Sequence, residues 1–173
     1  MVARGNPLRL RGLDDLSTGG VRFINRQEGS GTRLLTDHLL AQAGLSSQHI
    51  ARYDEVTEDS HLAVAAAIAS GLGDAGVGIA AAASQFGLDF IPLIEEDYFL
   101  VCLKDTLEHP AVRQLCEALA GPAMAAAVDD IEGYSLNAPG EVLSLTRALP
   151  WWRFRSPKEA GQPESAEDEA DAD

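Results

Sequence analysis

Between Phe23 and Arg33 the sequence reads Phe-Ile-Asn-Arg-Gln-Glu-Gly-Ser-Gly-Thr-Arg. These are the residue types of an anion clamp. Arg26 offers a planar, permanently charged fork of N–H donors that matches an oxyanion. Ser30 and Thr32 add hydroxyl donors, and Gly29 and Gly31 let the backbone approach a ligand closely. A β-rich run at residues 21–25 precedes the loop, and a helical pattern at residues 32–43 follows it. The unpaired N–H groups at that helix start, and the positive end of its dipole, favour the same kind of ligand. A set made of donors alone suits a tetrahedral dianion: phosphate, sulfate, molybdate or tungstate. The residues also permit a plainer reading, in which Ser30 or Thr32 caps the helix and Arg26 is a solvated charge. No Gly-Lys-Ser/Thr follows, so this is not a phosphate loop of the nucleotide-hydrolase type. The third glycine of a dinucleotide fingerprint is absent as well.

Further candidates lie downstream. Ser60 and His61 open a second helix and offer a second group of donors, although His61 reads more readily as a packed or surface residue at a helix start. Tyr53, with Asp54 and Glu55, falls in a loop that could approach the same point, whereas Asp74-Ala75-Gly76 reads as a structural turn. Catalysis calls for a nucleophile with its base, or for paired carboxylates. Ser30 has no base near it in sequence, so the reading is binding without bond making. Glu95-Glu96-Asp97 reads as a solvated hairpin turn. Cys102 and Cys116 lack metal-ligand spacing and read as free thiols, and no cofactor is implied.

The elements that must position these residues alternate. Short strands are expected at 21–25, 50–56, 76–79, 89–93 and 98–103. Helices are expected at 32–43, at 61–70 after the N-cap Ser60, at 80–86, at 110–119 with Pro110 in its first turn, and from Pro122 to Val128. Residues 61–70 are apolar all round and therefore buried on several sides. Alternating strands and helices imply an α/β fold around a mainly parallel sheet.

The chain has 173 residues and a net charge of −14. That charge disfavours a whole-chain grip on nucleic acid. It is uneven. Residues 156–173 hold seven carboxylates against Lys158 and read as a disordered acidic tail, whereas the first 33 residues hold six arginines and three acids. Trp151, Trp152 and Phe154 are expected to dock the C-terminal segment onto the core. The longest apolar run, residues 62–69, is far shorter than the ~20 residues of a membrane span, and no secretory leader is evident. A cytoplasmic location is the expectation, with a periplasmic one if the chain is a fragment of an exported protein.

Arg26-x-x-x-Ser30-Gly31-Thr32 resembles the oxyanion-binding loop of type II periplasmic binding proteins. A wider set of stretches resembles the binding-protein-like domain found in bacterial molybdate-related regulators, where it is joined to a helix-turn-helix or a molybdopterin-biosynthesis domain. These stretches are Gly5-Asn6-Pro7, the loop itself, His61-Leu62-Ala63-Val64-Ala65-Ala66, Gly73-Asp74-Ala75-Gly76-Val77-Gly78-Ile79, Gly87-Leu88-Asp89-Phe90-Ile91-Pro92-Leu93, Tyr98-Phe99-Leu100-Val101 and Pro150-Trp151-Trp152. The resemblance implies a two-lobed fold with the ligand between the lobes, and a first lobe that would precede Gly5. The expectation is a binding-protein-like domain over residues 1–155, made mostly of the second lobe and the C-terminal elements that return to the first. The implied ligand is molybdate or tungstate, held by Arg26, Ser30, Gly31, Thr32, Ser60, His61 and Tyr53. The implied partners are the small oxyanion and either a second copy or a chain supplying the first lobe, with no direct nucleic-acid contact and no membrane span. The alternative is a remnant or split regulatory or protein-interaction domain without ligand, or an accessory domain in molybdenum-cofactor biosynthesis.

Overall fold

The computed structural model describes residues 1–149. The tail at 156–173 and the Trp151, Trp152 and Phe154 cluster lie outside the described residues. Three parallel strands form the sheet: β1 (Phe23–Arg26), β2 (Thr57–Glu58) and β3 (Ala75–Gly76), in the order β2-β1-β3. Helices α1 (Gly31–Gln42), α2 (His61–Ala69) and α3 (Ala80–Gln85) alternate with them, followed by α4 (Pro110–Leu119), α5 (Pro122–Asp129) and a short α6 (Leu145–Ala148). The α/β expectation with a parallel sheet therefore holds.

Central strand β1 sorts the core by its period of two. Phe23 faces the α1 side, in a cluster with Leu40, Ile50 and Tyr53, whose ring stacks on Phe23 at 5.6 Å. Ile24 faces the other side, against Val64, Ala65 and Ile68 of α2 and Ala82 and Ala83 of α3. The next two residues continue the alternation. Asn25 is buried and donates from Nδ2 to the Tyr53 carbonyl, on the α1 side. Arg26 therefore emerges on the α2 side, at the carboxyl end of the strand. Arg22 sits below the sheet and is held by both carboxylate oxygens of Asp74, so Asp74 has the structural job expected of it.

Three expected strands are corrected. Residues 50–56 form successive turns, with the Tyr53 N–H bonded to the Ile50 carbonyl and Arg52 at φ +65°. Ile50, Tyr53 and Val56 recur every three residues, which suits turns rather than the period-two pleat of a strand, so only Thr57–Glu58 pairs with β1. Residues 89–93 contribute a single bridge, Asp89 with Val2. The strongest expected strand, residues 98–103, makes no ladder, and the acidic run before it is exposed without forming a hairpin. Beyond Tyr134, α6 adds one turn of helix to an otherwise irregular described segment. No helix among the described residues is long and apolar enough to cross a membrane.

Candidate functional site

The carboxyl ends of β1 and β2 are in register, with Arg26 opposite Glu58, and the Gln27 N–H continues the ladder to the Glu58 carbonyl. Both strands therefore release their chains at one edge, and each enters a helix within a few residues. Ser30 caps α1 by accepting from the Arg33 N–H at 3.2 Å, and Ser60 caps α2 by accepting from the Ala63 N–H at 3.1 Å. Two helix N-termini thus open at the same edge of a parallel sheet. This is the edge where ligands bind in open α/β folds. In each serine the oxygen serves the helix, while the hydroxyl proton is bonded to none of the described residues. Replacing either serine by alanine is expected to cost about 1 kcal/mol of stability, measured by urea unfolding, in addition to any effect on a ligand.

Arg26 is fixed across this edge. Its Nε donates to the Glu58 carbonyl at 3.3 Å, and one terminal nitrogen donates to the Asp59 carbonyl at 2.9 Å. The other terminal nitrogen lies 3.2 Å from Nδ1 of His61. A guanidinium only donates, so Nδ1 accepts, and the neutral ring carries its proton on Nε2, a further donor. Three of the five guanidinium N–H groups are spent on positioning, which leaves one on each terminal nitrogen. Asp59 turns its carbonyl toward Arg26, and its residue is exposed.

Burial, and secondarily the charge of Arg26, hold the His61 pKa below its ordinary value of 6.5. The folded value lies below the unfolded one. The stability that this group contributes is therefore complete above the ordinary value and is lost as pH falls through the folded value. In an NMR titration His61 is expected to titrate below the ordinary histidine value, and Arg26→Ala to raise its midpoint. An unchanged midpoint in the variant would rule out the coupling.

The structure brings Arg26, Ser60 and His61 into one group and sets Ser30, Gly31 and Thr32 at the neighbouring helix start. Arg26 makes no hydrogen bond to Ser30, Gly31 or Thr32. The Thr32 carbonyl accepts from the Thr36 hydroxyl. Tyr53 is not brought to the group. It is 4% exposed, and its hydroxyl donates to Asp37 at 2.6 Å. Burial and the Asp37 carboxylate push its pKa up to about 12. Arg33 is occupied with Asp37, Asp54 and the Tyr53 ring, 4.5 Å from the ring centroid. Sequence reasoning missed the carbonyls of Glu58 and Asp59 as the groups that orient Arg26, and Gly78, whose missing Cβ would stand 3.3 Å from His61 Nδ1. The two carbonyls carry no sequence signal, because they meet Arg26 only through the β1–β2 register; Gly78 approaches His61 from the chain that follows β3. An open concavity lined by Arg4, Asn6, Asp89 and Glu132 shares no residue with this group and mixes one cation with two carboxylates.

A family model described as the PBP superfamily domain matches residues 1–120. Among curated proteins, the chain is 35% identical over 145 residues to "Uncharacterized protein YvgK" of Bacillus subtilis (strain 168). That match takes in 84% of this chain and 46% of the Bacillus protein, so the chain spans about half the length of that relative. It is also 31% identical over 86 residues to "Uncharacterized protein in ferredoxin 2Fe-2S gene 5'region" of Clostridium pasteurianum, over 49% of this chain and 76% of that protein. No solved structure matches the chain. With a parallel sheet, donors gathered at its carboxyl edge and a family match over residues 1–120, the chain belongs to the PBP superfamily, a superfamily of ligand-binding domains.

Proposed function

We propose that the chain binds a tetrahedral oxyanion, molybdate or tungstate, above the carboxyl edge of β1 and β2, without making or breaking bonds. The observation that carries this reading is the placement of Arg26. It is locked by two carbonyls and His61 at an edge where two serine-capped helices start. The remaining Arg26 donors, the Ser30 and Ser60 hydroxyls, the N–H groups of Gly31 and Thr32, and Nε2 of His61 are the groups such an anion would meet. Locked donors need no reordering when the anion arrives, so little of the interaction is lost to entropy. The preference for molybdate or tungstate over sulfate and phosphate rests on the sequence resemblance alone. Tyr53 has no part in this arrangement.

Isothermal titration with molybdate, tungstate, sulfate and phosphate tests the reading. Saturable heat with the first two, and less with the others, is expected. A folded protein giving no heat with any of the four would overturn it. A second reading, a regulatory or protein-interaction domain whose clamp is unused, draws on the apolar surface left uncovered beyond Ile91. An anion-silent protein that still associates with a macromolecule would favour it.

A further inference from the structure

Residues 90–102 carry no helix, turn or bend, and their backbone N–H and C=O groups make no backbone hydrogen bond among the described residues. The side chains that follow the acidic run are the most β-prone of the chain, and they lie open: Tyr98 is 92% exposed, Leu100 65% and Val101 77%. Alternation puts Tyr98 and Leu100 on one face, and Phe99, Val101 and Leu103 on the other. A segment with two apolar faces and an unpaired backbone is a template for strand pairing.

Among the described residues, the sheet offers this segment no free edge. The β2 edge offers only Thr57 and Glu58, both polar, and the far side of β3 is already bridged by Val2, which in turn meets Asp89. What a second copy does offer is the same open segment. We propose that residues 97–103 of two copies pair as an antiparallel ribbon centred on Leu100, with Glu96 and Lys104 flanking it where the 3-10 turn Lys104–Thr106 begins.

Symmetry and charge select that register. A twofold axis perpendicular to a ribbon sets each residue opposite one of the same parity. Centred on Leu100, Phe99 meets Val101, Tyr98 meets Cys102, and Glu96 meets Lys104 at both ends. Centring on Val101 sets Asp97 against Asp105, a repulsive pair. Centring on Phe99 sets Lys104 against Ile94. Of these three centrings, the first alone gives Lys104 an acidic partner. A two-stranded ribbon is marginal by itself and needs a covering layer. Helix α4 follows closely and carries Val112, Leu115, Cys116 and Leu119 on one stripe, none of them buried. Two such stripes, one from each copy, are the layer available to it.

The inference does not depend on the anion. Light scattering coupled to gel filtration, at ~100 μM chain and physiological salt to screen the mutual repulsion of two acidic chains, is expected to give a dimer. Glu96→Lys and Lys104→Glu are each expected to weaken the dimer, and the two together to restore it. In a Cys102→Ser background, Leu100→Cys is expected to form a disulfide-linked dimer on mild oxidation. All these positions lie outside the core, so circular dichroism should show an unchanged fold. A strict monomer across the concentration range would overturn the proposal and assign the segment to a sheet edge on a different polypeptide. A dimer that neither cross-links at position 100 nor responds to the charge exchange would overturn the register.

Discussion

Arg26→Ala is expected to weaken the proposed anion binding by ~100-fold or more and to leave the fold in place, the largest functional effect expected of any single change. Arg26 is the one permanent charge aimed at the β1–β2 edge in this arrangement. Charge-assisted hydrogen bonds contribute about 1.5–3 kcal/mol each. Loss of the two remaining donors and of the charge therefore predicts a fall in affinity on the order of 100-fold or more, read by isothermal titration. Arg26→Lys keeps the charge but loses the fork. A lysine cannot hold the Glu58 and Asp59 carbonyls and His61 while still facing a ligand, so affinity should fall by about tenfold or more. The fold survives because Arg26 is half-buried at the end of its strand, outside both core clusters. An Arg26→Ala protein that binds molybdate as tightly as the parent would remove this residue from the site.

The largest stability effect is expected at Gly76. A Cβ there would stand 2.6 Å from the backbone oxygen of Ile24 and 2.6 Å from Cγ1 of Val64. The first neighbour is fixed by the β1–β3 pairing and the second by the packing of α2 on the sheet. Neither can give way without separating a strand or a helix from the core. Gly76→Ala is therefore expected to cost about 3 kcal/mol or more, a drop of roughly 6–12 °C in the thermal midpoint for a domain of this size. Gly31→Ala is the control. Gly31 sits in the first turn of α1 with open space where its Cβ would go, and its stability should be unchanged or slightly raised. Equal effects at the two positions would contradict the packing described for β3.

Much of this was legible because it is local. The N-cap serines, Pro110 in the first turn of α4 and the glycines that end α1 and α2 act within a few residues, and the structure places those helices within a residue or so of expectation. The apolarity of α2 marked the burial of Val64, Ala65, Ala67 and Ile68 between the sheet and α3, whereas Leu62 and Ala69 on its other face are exposed. The misses are non-local. Tyr98, Phe99, Leu100 and Val101 have every intrinsic preference for a strand, yet a strand exists only where a partner edge does, and no described residue provides one. Tyr53 read as a ligand contact because its neighbours are polar. The stacking on Phe23 that draws it into the core depends on a turn at residues 50–53 that composition does not announce. At the site, sequence named Arg26, Ser30, Ser60 and His61 one by one. That Arg26 and His61 touch follows from the parallel register of β1 with β2, which joins residues 35 positions apart.

The proposed anion site is one place, the edge where α1 and α2 begin. Amide chemical-shift mapping by ¹H–¹⁵N NMR during titration with molybdate reads that place directly. The largest, saturable shifts are expected at Gly31, Thr32 and Arg33 and at His61, Leu62 and Ala63, with the Arg26 side chain responding at the same concentration. Shifts absent throughout the range, or centred away from both helix starts, would contradict that placement.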